Sequence, residues 1–162
     1  MKLFSYYNEE KHTEYTWYKS SDILYTEYCD DGENKNTMKV VFEKGGATYL
    51  YKGVAVQNYL YLRESETQGK TFSYLKKEYK WEYEKLEPYN KDLILEEYSE
   101  RSGNVYYIIN DGCFEIRNNK ETIMYHNEKE LPTDTLLLVT DIIESLGYKI
   151  RLRERKENED KD

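Results

Sequence analysis

A chain of 162 residues fits one domain of ordinary size or two small ones. Hydrophobic residues are only 38% and charged residues 35%, yet 19 tyrosines, 4 phenylalanines and 2 tryptophans supply enough buriable surface to exclude a disordered chain. The net charge of −8 is localised: residues 87–150 hold 6 basic and 13 acidic groups, against 10 and 11 in residues 20–86, and such an acidic field repels nucleic acid and attracts basic protein surfaces.

The first residues, Met1-Lys2-Leu3-Phe4-Ser5-Tyr6-Tyr7, run into Asn8-Glu9-Glu10 without the apolar core of a secretion signal. No stretch reaches the roughly 18 apolar residues of a membrane helix. Cys29 and Cys113 lie far apart, which is commoner for two free thiols in a cytoplasmic protein, with a disulfide between them as the alternative. Glu14-Tyr15-Thr16-Trp17-Tyr18 and Ile23-Leu24-Tyr25-Thr26-Glu27-Tyr28 are rich in β-favouring residues and predict strands. The polar, glycine-containing run 30–36 predicts a hairpin loop before Thr37-Met38-Lys39-Val40-Val41-Phe42. Gly45-Gly46 then turns the chain into Thr48-Tyr49-Leu50-Tyr51. Alternation places Met38, Val40 and Phe42 on one face, and Tyr49 and Tyr51 on another. A phenol-edged core with wet tips follows from so many tyrosines. Residues 56–66 read as a helix from the spacing of Tyr59 and Leu62, and residues 70–77 as a second, with Phe72 and Leu75 on one side. Tyr79, Trp81 and Tyr83 alternate with Lys80, Glu82 and Glu84, which predicts a closing strand over 79–85; a helix continuing from 70 to 86 is the rival.

Pro88 among polar residues marks a boundary at 87–91. Beyond it, Val105-Tyr106-Tyr107-Ile108-Ile109 and Cys113-Phe114-Glu115-Ile116-Arg117 flank Asp111-Gly112, a strong hairpin signal. Thr122-Ile123-Met124-Tyr125 makes a third strand. Thr133 or Asp134 caps a helix whose stripe is Leu136, Val139, Ile143 and Leu146, ended by Gly147. Tyr148, Ile150 and Leu152 alternate with basic residues as a last strand, and 154–162 form a charged, frayed tail. The expected fold is α+β. Its first unit, 1–87, has an antiparallel sheet, short helices and an N-terminal extension. Its second, 88–153, is an acidic three-strand meander followed by one helix and a strand.

Residues 20–86 resemble the KTSC domain, a short module named for its occurrence at the C-terminus of some lysyl-tRNA synthetases. The resemblance rests on Ser20-Ser21, Ile23, Met38-x-Val40-x-Phe42, Tyr49-Leu50-Tyr51, Gly53-Val54, Tyr59, Gly69-Lys70-x-Phe72 and Tyr79, in that order. Thr67 stands where a serine is usual, Ser73 where asparagine is frequent, and the loop 30–36 is long. The family has been suggested to bind RNA. The resemblance therefore implies single-stranded RNA as partner, with Tyr49, Tyr51, Lys70, Lys76, Lys77, Tyr79, Lys80 and Trp81 as the residues that would stack on bases and meet phosphates. The alternative is ordinary packing for Tyr49 and Tyr51, and a solvated face for the lysines.

Catalytic and metal-binding patterns are absent. His12 and His126 have no partner at ligand spacing, and Gly45-Gly46 is too short to cradle phosphate. No cofactor is implied. The chain reads as a non-catalytic binding protein. The leading expectation is an inhibitor or adaptor of the phage-encoded, anti-CRISPR type, which meets a basic, nucleic-acid-handling protein such as a defence nuclease as a nucleic-acid mimic. Its contact residues would be Glu87, Asp92, Glu96, Glu97, Tyr98 and Glu100. RNA binding by the KTSC-like part is the alternative.

Overall fold

The structure is a computed structural model that describes residues 1–103, 105–110, 113–118, 121–126, 150–151 and 154–155, with side chains for 1–103. The fold is α+β, in two compact units, Met1–Ile94 and Leu95–Asp162.

The first unit is a six-stranded sheet in simple sequence order. Its strands are β1 (Lys2–Asn8), β2 (Thr13–Tyr18), β3 (Ile23–Cys29), β4 (Thr37–Phe42), β5 (Thr48–Lys52) and β6 (Glu82–Leu86). Every neighbouring pair is antiparallel, so short turns suffice between the first five strands. Ser20 Oγ accepts from the amides of Asp22 and Ile23 at 3.1 and 3.2 Å, which turns β2 into β3. Gly45 and Gly46 both have φ +67°, as the tight β4–β5 turn requires.

Between β5 and β6 the chain leaves the sheet to form α1 (Val56–Glu64) and α2 (Gln68–Tyr79). Both pack on one face, where Tyr18, Tyr28, Met38, Val40 and Tyr51 meet Tyr59, Leu62, Phe72, Leu75 and Trp81. The register sets Met38 opposite Tyr51 and Val40 opposite Tyr49. The two predicted faces are therefore one face of the sheet, because directly paired residues point the same way. Tyr28 and Tyr59 stack at 4.4 Å with an interplanar angle of 3°.

Three of the buried phenol tips, those of Tyr18, Tyr28 and Tyr59, are bonded within the protein. Tyr28 donates to the Val54 carbonyl at 2.7 Å. The hydroxyls of Tyr18 and Thr26 lie 2.9 Å apart. Tyr59 donates to Glu14 at 2.6 Å, and Arg63 holds the same carboxylate at 2.7 Å. A buried hydroxyl with a partner avoids the 1–3 kcal/mol or so that an orphaned one costs.

The opposite face buries Trp17, Tyr25, Val41 and Thr48. The start of α3 (Lys91–Ser102) is tied to this unit. Trp17 Nε1 donates to the Ile94 carbonyl at 2.9 Å, Lys91 Nζ to the Glu43 carbonyl at 2.9 Å, and the Tyr89 amide to Gly46 at 3.0 Å. Residues 87–91, expected as a boundary, are thus strapped to the β4–β5 turn, and the first unit runs on to Ile94.

The structure departs from expectation in two other elements. The N-terminal extension is an edge strand, with Asn8 opposite Thr13. The predicted strand 79–85 begins only at Glu82, opposite Lys52. Tyr79 instead ends α2, and Lys80 caps it in the left-handed region, φ 47° and ψ 51°, its amide donating to Lys76 O. Pairing of 82–86 with β5 rules out the helix running to 86.

In the second unit β7 (Val105–Asn110), β8 (Cys113–Asn118) and β9 (Glu121–His126) form the expected antiparallel meander. β10 (Ile150–Arg151) and β11 (Glu154–Arg155) pair with β7 in parallel. Glu154 and Arg155, expected at the start of a frayed tail over 154–162, thus belong to a strand; the predicted turn residues Asp111 and Gly112, the helix over 134–146 with its cap and Gly147, and the rest of that tail lie outside the described residues.

Candidate nucleic-acid interface

Antiparallel pairing of β5 with β6 sets Tyr51 opposite Tyr83 and Tyr49 opposite Lys85. Alternation along β6 therefore turns Tyr83 and Lys85 toward the helical face and Glu82 and Glu84 toward the other. Glu84 is indeed paired with Lys52, at 3.3 Å. On the helical face the end of α2 stands beside the strand edge. Phe42, Tyr49, Tyr51, Tyr83, Trp81, Lys76 and Lys80 line a cleft of about 500 Å³.

Its floor is aromatic. Tyr51 meets Phe72 and Trp81 edge-on, with centroids 5.2 and 5.9 Å apart. Tyr49 meets Tyr83 edge-on at 6.0 Å. Tyr51 is 5% exposed, and burial beside the phenols of Tyr49 and Tyr83 pushes its pKa up to about 12. Its ring is part of the core. The rim, by contrast, is open: Tyr83 is 64% exposed and Tyr79 51%. Tyr79 lies almost parallel to Trp81, at 10° and 6.3 Å. Lys76 Nζ sits 5.0 Å from the Phe72 ring centre, a cation–π contact that holds the ammonium over the cleft wall.

Five of the eight residues implied by the resemblance, Tyr49, Tyr51, Lys76, Lys80 and Trp81, thus line one cleft, and Tyr79 stacks on its edge. Lys70 and Lys77 line a separate concavity with Asp22, Gly69, Ser73 and Tyr74. Sequence reasoning missed Phe42 and Tyr83 as cleft residues. The signal for Tyr83 was its place in the Tyr79-x-Trp81-x-Tyr83 alternation.

The acidic set is not assembled in the same way. Glu87 and Asp92 belong to the first unit and Glu96, Glu97, Tyr98 and Glu100 to the second. Glu87 and Glu100 are exposed, whereas Asp92, Glu96 and Glu97 are half-buried. Glu97 is paired with Arg101 at 3.0 Å. Tyr98, expected on the contact surface, is fully buried, since in α3 it falls four residues after Ile94 and three after Leu95, which are also buried.

Among the described residues no group of histidine, cysteine and carboxylate side chains is placed to hold a metal. No helix among them is long and apolar enough to cross a membrane. No protein-family model matches the chain, and no curated protein is similar to it in sequence.

Proposed function

We propose that the protein is a non-catalytic binding protein that takes single-stranded nucleic acid in the β5–β6–α2 cleft. The observation that carries this reading is the sorting of charge around the cleft. Residues 70–85 hold 5 lysines and 3 glutamates, a mixture with little net field. Lys76 and Lys80 line the cleft with the aromatic rings, Lys85 stands opposite Tyr49 on the same face of the sheet, and Glu82 and Glu84 turn to the far face of β6. Flat rings beside ammonium groups suit a ligand with flat faces and repeated negative charge, which is how single strands are bound. Single-stranded RNA is the first ligand to test, because the KTSC resemblance implies it.

The test is fluorescence anisotropy with labelled oligouridine and its deoxythymidine counterpart. Tyr83→Ala, at an exposed position, should leave the melting temperature unchanged and weaken binding roughly tenfold to a hundredfold, since one base–ring stack is worth about 1–3 kcal/mol. Three lysines meeting three phosphates should give a logarithmic salt slope of about −2, and Lys80→Ala should flatten it by about 0.7. No binding of either oligonucleotide at low salt sinks the proposal.

A second reading keeps the acidic half as the working surface, in an inhibitor of a basic, nucleic-acid-handling protein such as a bacterial defence nuclease. Its support is the concentration of net charge −7 in residues 87–150. Reversal of Glu96, Glu97 and Glu100 to lysine should then abolish capture of a basic partner at low salt while oligonucleotide binding is not lost. Partner capture unaffected by the reversal rules out this acidic surface.

A further inference from the structure

The cleft uses only one side of α2. At about 100° per residue, Lys76, Ser73, Lys77 and Lys70 follow one another round the helix within roughly 120°. Tyr74 comes next, and the helix's one acidic residue, Glu78, lies beyond it. All four of these basic and hydroxyl side chains are exposed, and Tyr74 is 56% exposed. Lys70, Ser73, Tyr74 and Lys77 line a concavity of about 490 Å³. From the cleft wall at Lys76 the helix surface therefore continues through Ser73, Lys77 and Lys70 to a second open aromatic ring, with Asp22 the one carboxylate that lines the concavity.

The basic surface also has an end. Asp22 lies so close to Gly69 that a Cβ there would overlap its carboxylate. Past Asp22 the chain offers Glu66, in a neighbouring concavity. The carboxylate occupies the N-terminal end of α2, where the helix dipole would otherwise favour an anion. A phosphate chain that follows the lysines meets like charge at that point.

Resting on the cleft reading above, we infer that the bound strand leaves the cleft across α2, meets Lys77 and Lys70 with its phosphates, stacks one further base on Tyr74, and stops at Asp22. The site thus has two subsites, and its footprint is longer than the cleft. Lys70 and Lys77 are seven residues apart, two turns or about 10 Å along the helix.

The experiment compares a uridine trinucleotide with a uridine octanucleotide on the full chain by anisotropy. Wild type should bind the longer strand at least tenfold more tightly. Tyr74→Ala, and separately Lys70→Glu with Lys77→Glu, should remove most of that gain and leave trinucleotide affinity within about twofold. Tyr74→Phe, which keeps the stacking face, should retain the gain. Tyr83→Ala should weaken both lengths alike. An unchanged ratio of the two affinities in Tyr74→Ala overturns the second subsite while the cleft reading stands. Failure of both lengths to bind removes the cleft reading and this inference together.

Discussion

Raising the pH from 10 to 12 should unfold the first unit cooperatively, well before the peptide backbone is at risk. Four buried phenols carry the effect. Burial pushes Tyr28 and Tyr51 up to about 12. It raises Tyr18 and Tyr59 further still, Tyr59 also because the Glu14 carboxylate faces it. An unfolded tyrosine titrates near 10. Between the two values the unfolded chain sheds protons that the folded chain keeps, so stability is whole below pH 10 and falls as the pH rises towards the folded values. Each phenol contributes roughly 1.4 kcal/mol per pH unit over that window. Tyr28 and Tyr51 over about two units account for roughly 5 kcal/mol between them, and Tyr18 and Tyr59 add in the same direction, against a whole stability of about 5–15 kcal/mol for an ordinary domain. Far-UV circular dichroism and phenolate absorbance should therefore change together in one steep transition. Tyr51→Phe keeps the ring packing and removes one titrating group, so its transition should be shallower and later. Unchanged circular dichroism at pH 12, with every tyrosine already ionised, would show that the core does not hold these protons.

The same tyrosines explain how much of the fold could be read in the sequence. β3, β4 and β5 were legible because aromatic and β-branched runs are separated by the polar loop 30–36 and by Gly45-Gly46. α1 and α2 were legible from the spacing of Tyr59 with Leu62 and of Phe72 with Leu75. β1 was not, because Leu3-Phe4-Ser5-Tyr6-Tyr7 shows no clean alternation of apolar and polar. Only Leu3 in it is buried, and its pairing with β2 is what makes it a strand. α3 was visible only as a run of acid. Its buried Ile94, Leu95 and Tyr98 are interrupted by carboxylates, and Leu93 beside them is 61% exposed. At residues 79–83 a period of two was real but belonged to the strand only from Glu82, because five residues of alternation carry no information on where a left-handed cap falls. The candidate site was half legible. Its residue types were named from the resemblance. Their sorting was not, because it needs the pairing of Tyr83 with Tyr51 across 32 positions of sequence, which no local pattern encodes.

Gly46→Ala should destabilise the first unit several times more than Gly45→Ala, although the two glycines share the same backbone angle. Both have φ +67°, where an alanine costs about 1 kcal/mol in strain. A Cβ on Gly45 would meet nothing within 4 Å, so that cost is all it adds. A Cβ on Gly46 would overlap the Tyr89 carbonyl oxygen and stand 3.3 Å from its carbon and 3.4 Å from Lys91 Cγ. That oxygen is backbone and cannot rotate aside. The segment is further fixed by the Tyr89 amide on Gly46, by Lys39 donating to the Tyr89 hydroxyl at 2.7 Å, and by Lys91 on Glu43. Relief of the overlap means moving the strap as a body, with loss of two or three hydrogen bonds worth about 1 kcal/mol each. The total expected for Gly46→Ala is about 3–4 kcal/mol, a fall in melting temperature of roughly 10 °C for a chain of this size. Because Trp17 donates to Ile94 just beyond the strap, its fluorescence should shift to the red in Gly46→Ala and stay unchanged in Gly45→Ala. Equal melting temperatures for the two variants would mean that the turn and residues 87–91 yield freely, and that the strap does not set where the first unit ends.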